Sequence, residues 1–80
     1  MIDKQGADKL TKTDQRKVKR MARKVRRIAT KLHDAAIAMT ISGEVGDIQK
    51  LGESIGLLIN VRSQAGLVMY VADDLREDYK

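Results

Sequence analysis

Apolar side chains in the first half of the chain recur at alternating steps of three and four: Val18, Met21, Val25, Ile28, Leu32, Ala35 and Met39. Residues three and four apart stack on one face of an α-helix, so the spacing predicts a helix with a single apolar seam. Thr11 or Thr13 can cap its start, and Asp14 suits the positive end of the helix dipole. The pattern runs to about Ile41, where Ser42-Gly43 offers a stop signal. The expected first helix is therefore 14–41, after a loose lead-in over 1–12 that has room for one helical turn at 7–10.

A second periodic stretch comes after a short linker, 42–47, with Asp47 placed to cap it. Its seam reads Leu51, Ile55, Leu58, Val61 or Arg62, Ala65, Val68 or Met69, Ala72, Leu75 and Tyr79, which predicts a helix over 48–79. Two helices joined by so short a link are expected to lie antiparallel. Leu57, Ile59, Leu67 and Val71 fall off that seam. A helix apolar on several sides needs cover from more than one partner, so the expected architecture is an all-α antiparallel two-helix hairpin that self-associates into a bundle, a dimer or higher. A competing reading treats 55–61 and 67–72, rich in β-branched residues, as two strands joined by a five-residue loop.

Charge changes the picture of the first helix. The chain has sixteen Lys and Arg against eleven Asp and Glu, a net charge of +5. Residues 1–31 carry twelve basic and three acidic side chains, a net +9, whereas 32–80 carry four basic and eight acidic, a net −4. The cations crowd the circumference of the first helix around its seam. Their functional reading is phosphate contact, with Arg16, Lys19, Arg20, Arg23, Arg26 and Arg27 as the candidate nucleic-acid-binding residues. The plainer alternative is a solvated face, partly neutralised by Asp73, Asp74, Glu77 and Asp78 at the end of the second helix through Lys17, Arg20 or Lys24. Only Tyr70 and Tyr79 are aromatic. Single-strand binders stack bases on aromatic platforms, so duplex is the expected nucleic acid. The basic helix has few amide side chains for reading adenine, which predicts weak base discrimination.

Arg62, with Ser63 and Gln64, interrupts the most apolar region. A charge there must reach solvent or a counter-charge. The sharper alternative is a ligand site for an anion between subunits, built from Arg62, Ser63 and Gln64. Ala22, Ala29 and Ala36 recur every seven residues, and Gly52 and Gly56 lie four apart; both sets permit close approach of another helix. Catalysis, cofactors and metal sites are not expected. There is no cysteine and only one histidine, His33 sits on the polar side of its helix, and no nucleophile–base pair or phosphate-binding glycine loop is present. No uninterrupted apolar run approaches the ~18–20 residues of a membrane span. A cytoplasmic protein without membrane contact is therefore the expectation.

Residues 47–59, with Leu51-Gly52-Glu53-x-Ile55-Gly56 at their core, resemble a helix of phage anti-CBASS proteins, small helical oligomers that sequester cyclic oligonucleotide signals. Arg62-Ser63-Gln64-x-Gly66 is similar to another part of that family, in a different order and spacing. The long basic helix before the matched segment departs from the family pattern. The resemblance implies a phage-type anion binder acting between subunits. The leading expectation remains a non-enzymatic nucleic-acid-binding protein, of phage or plasmid regulatory type. The alternatives are a phage anti-defence protein that sequesters a cyclic oligonucleotide, and one that docks on an acidic host protein.

Overall fold

The computed structural model describes residues 9–79, and these form two long α-helices, α1 (Lys12–Val45) and α2 (Ile48–Glu77). The helices pack on each other along a rod of 60 × 15 × 14 Å. No strand occurs among the described residues, and the stretch 55–72, for which two strands are the competing expectation, is helical throughout. Its β-branched residues are interspersed with Leu57, Leu58, Ala65, Leu67, Met69 and Ala72, which favour helix, and the helical cost of a β-branched residue is small enough for these to offset. Most of the expected lead-in falls outside the described residues; Lys9 and Leu10 precede α1 without helical structure.

The ends of the helices are set by a few side chains. Thr11 is the cap of α1: its backbone is extended (φ −64°, ψ 160°), and its hydroxyl accepts from the Asp14 N–H at 3.2 Å. Asp47 caps α2, accepting from the N–H groups of Gln49 and Lys50 at 2.9 and 3.1 Å. The boundary between the helices lies four residues later than the sequence implies. α1 runs through Ser42-Gly43 to Val45, and the expected linker 42–47 shrinks to Gly46 and Asp47. Gly43 costs a helix about 1 kcal/mol but does not break it. Gly46 does, by taking a left-handed conformation (φ 71°) and donating its N–H to the Ser42 carbonyl at 2.8 Å. The Ser42 hydroxyl then donates to the Asp47 carbonyl at 2.8 Å and fastens the turn. At the far end α2 stops at Glu77, two residues before the expected Tyr79.

These two glycines give opposite predictions. A Cβ on either would meet open space. Gly43→Ala should therefore raise the melting temperature, because alanine favours helix by about 1 kcal/mol. Gly46→Ala should lower it, because a left-handed backbone penalises any Cβ by about 1 kcal/mol. Thermal unfolding monitored by circular dichroism reads both signs.

The interhelical seam is a rotated version of the expected one. On α1 the buried or half-buried positions include Asp14, Met21, Ile28, Lys31, Ala35, Ala38 and Ser42. Met21, Ile28 and Ala35 of the predicted seam are there, but Val18, Val25, Leu32 and Met39 remain 36–49% exposed. On α2 the inward positions are Lys50, Ser54, Leu57, Val61, Gln64, Val68 and Leu75, with Ala65 half-buried at the edge. Leu51, Ile55 and Leu58, placed on the seam by periodicity, face outward at 39%, 46% and 37% exposure, while Leu57 turns inward. A helix apolar on several sides leaves its own rotation undetermined by hydrophobicity. Polar contacts along the seam select it instead.

Three such contacts fix the phase. The Ser42–Asp47 bond sets the turn. In the middle, the Lys31 ammonium donates to Asn60 Oδ1 at 2.6 Å and to Gln64 Oε1 at 3.1 Å. At the open end the Tyr79 hydroxyl donates to Asp14 Oδ2 at 2.5 Å and accepts from the Thr11 N–H at 3.1 Å. Asp14 is 1% exposed there, so the end of α2 is clasped to the start of α1. Hydrogen bonds to charged groups contribute ~1.5–3 kcal/mol. Tyr79→Phe keeps the ring and removes the bond, and it should lower the melting temperature by about 6–24 °C at ~4–8 °C per kcal/mol. An unchanged melting curve would exclude the clasp.

Candidate nucleic-acid interface

Helical geometry gathers the predicted cations. At 100° per residue, Arg16, Lys19, Arg20, Arg23, Arg26 and Arg27 fall within about a third of the circumference of α1, along about 16 Å of its axis. All six are exposed. Ion pairs do not quench this ridge: among the described residues none of the six lies within ion-pair distance of a carboxylate. The neutralising pairs expected from the acidic end of α2 take other partners. Lys17 lies 3.8 Å from Asp14 on its own helix, and Asp73 pairs with Arg76 at 3.6 Å. Lys31 is half-buried and turned toward the seam, where it bonds Asn60 and Gln64.

Beside the ridge the two helices enclose a groove of about 480 Å³. Lys24 and Arg27 line it from α1, and Leu67, Tyr70 and Val71 from α2. Tyr70 is 73% exposed. Composition alone assigns it no part in binding, because an isolated aromatic residue gives no signal until folding sets it beside cations far earlier in the chain. The place of Lys31 has a weak signal in the sequence, since it shares the seven-residue spacing of Ala38 and faces two amides four apart on α2.

Arg62, Ser63 and Gln64 are not brought together. Consecutive helical positions fan around the axis, and Gln64 faces α1 in contact with Lys31 while Arg62 and Ser63 are exposed. Gly52 and Gly56 have nothing within 4 Å of a would-be Cβ, so the close approach they permit is not made between α1 and α2. Among the described residues no three His, Asp or Glu side chains group so as to hold a metal ion.

α2 is long and apolar enough, by length and composition, to cross a membrane; its most apolar 18-residue window has a mean hydropathy of 1.3. The expectation drawn from uninterrupted apolar runs overlooks this, because such a window tolerates occasional charges. Arg62, Asn60 and Gln64 stand near the middle of α2. An arginine at the centre of a spanning helix costs ~2.5–3.5 kcal/mol on insertion scales.

No known protein family, curated protein or solved structure matches the chain. The class that fold and site define is thus a two-helix hairpin bearing an open cationic ridge.

Proposed function

We propose that this chain is a non-enzymatic nucleic-acid-binding protein of phage or plasmid regulatory type, acting as a self-associated antiparallel hairpin in the cytoplasm and contacting duplex phosphates through α1. One observation carries the reading: six exposed cations share one arc of a helix, with no carboxylate in ion-pair reach among the described residues. Closely spaced phosphates offer the matching charge density, and each one neutralised releases a counterion. The ridge presents arginine and lysine without asparagine or glutamine beyond Gln15, so it holds backbone rather than reading bases.

A salt titration of duplex binding tests this. Six neutralised phosphates give a slope of about −5 in log K against log salt concentration. A slope near zero would exclude phosphate contact by the ridge.

The groove supports a second reading, a phage-type anti-defence protein that sequesters a cyclic oligonucleotide. A volume of about 480 Å³ suits a small ligand, and Lys24, Arg27 and Tyr70 offer two charges and a stacking surface. Ligands that bind only the folded chain raise its melting temperature by mass action. Cyclic di- and trinucleotides at 100 times their Kd should raise stability by ~2.7 kcal/mol. No rise with any of them removes this reading. An acidic host protein docked on the ridge is the remaining alternative, and its capture would survive nuclease treatment.

A further inference from the structure

We infer that one broad face of the hairpin, formed by both helices, docks a second copy of the same chain. The inference rests on the self-association within the proposed function and not on the ligand. It starts from what the hairpin leaves uncovered. Among the described residues, the buried apolar side chains are Ala35, Ala38 and Leu75, while sixteen large hydrophobic side chains are 36–80% exposed. A chain of this length is marginal even with a full core, and three small contributions are far from one.

Nine of these sixteen are ordered into two seams. On α1, Val18, Val25, Leu32 and Met39 alternate at steps of four and three with Ala22, Ala29 and Ala36, forming a second complete seam beside the first. On α2, Ile48, Leu51, Ile55 and Leu58 keep the same alternation, and half-buried Ala65, Met69 and Ala72 continue it after Arg62. Each outer seam is displaced from the inward one by about a quarter turn in the same sense along its own chain. The end of α2 contacts the start of α1, so the helices run in opposite directions. Equal displacements on opposed helices bring both seams to one side of the hairpin. The cationic ridge is centred on another side of α1, and its edge residues Lys19 and Arg26 border this face beside Ala22 and Ala29.

A second copy fits the face in periodicity, shape and area. Seams with a three-four repeat are the pattern of helices packed on helices, where large side chains enter holes on the facing helix. The alternation of large residues with alanine on α1 supplies both. The face is about 32 Å long and two helices, roughly 20 Å, wide. That is on the order of 650 Å² in outline, and more with side-chain relief, near the ~800 Å² per partner of a stable interface. Arg62 is the single charged side chain in the two outer seams. It lies at the midpoint of α2, where docking would strip water from it.

Light scattering on the full-length, nuclease-treated chain, separated from nucleic acid in high salt, tests the inference. The expected mass is twice the 8.9 kDa of one chain. Leu32→Glu combined with Leu58→Glu, both outside the α1–α2 seam, should halve it and retain the helical circular dichroism. Arg62→Leu should tighten the dimer at least tenfold, since it removes a charge that loses solvent on docking. A wild-type monomer at 100 µM overturns the inference, and so does a monomer that co-sediments with phosphatidylcholine vesicles, which would assign the face to lipid. A dimer untouched by the paired glutamates overturns the choice of face while self-association stands. If the glutamate variant loses its helices, Arg62→Leu decides: a dimer no tighter than wild type overturns the inference. None of these outcomes bears on phosphate binding, which the salt titration reads separately.

Discussion

Replacing Arg20, Arg23 and Arg27 together by glutamate should weaken duplex binding steeply and leave the hairpin folded. All three are exposed and none is hydrogen-bonded or ion-paired to α2, so the substitution removes little packing. Losing three phosphate contacts should flatten the salt slope by about 3, at roughly one per cation. The introduced negative charges then repel the backbone as well. At ~50 mM salt the combined loss should reach at least 10³-fold, the scale on which several phosphate contacts govern affinity. Lys31→Gln is the informative contrast. Lys31 belongs to the same run of cations, but its ammonium is engaged by Asn60 and Gln64. It should cost stability and leave the salt slope alone. Equal loss of binding from both changes would show that the total charge, rather than the ridge, holds the duplex.

Ala35→Leu is expected to have a large effect on folding. Ala35 is 2% exposed, Ala38 is 4% exposed, and Ser54 on the facing helix has no exposed surface. A side chain with so little exposed surface leaves no room for three more carbons. Overpacking of this kind costs ~1–3 kcal/mol, which at ~4–8 °C per kcal/mol lowers the melting temperature by about 4–24 °C. For a hairpin with so little buried apolar surface, the upper part of that range means unfolding near ambient temperature. A leucine variant that melts with the wild type would place the helices farther apart than the burial of Ala35 implies.

The sequence makes the two helices, the cap Asp47 and the cationic ridge legible, because each rests on local spacing or a single residue type, and it narrows the first cap to Thr11 or Thr13. The helix boundary at Gly46 is less so, since Gly43 and Gly46 differ mainly in their next neighbours. Gly46 stands directly before Asp47, the residue that caps α2. The rotation of the helices about their axes is not legible. α2 is apolar on several sides, so periodicity fits more than one seam. The choice depends on Lys31 meeting Asn60 and Gln64, and on Tyr79 reaching Asp14, pairs separated by 29 to 65 positions. The groove beside Tyr70 is hidden for the same reason: it exists only where two distant segments meet.

Along the inner seam α1 presents Ser42, Ala38 and Ala35 toward the turn, and Ile28 and Met21 toward the open end. That end is not free: Tyr79 fastens it through Asp14 and Thr11, as Gly46 and Asp47 fasten the other. The rod is thus latched at both extremities, and the cavity beside Arg27 lies between the two latches. Anything that enters it must fit walls whose spacing is anchored at either end, so Tyr79 governs access to a cavity it does not touch.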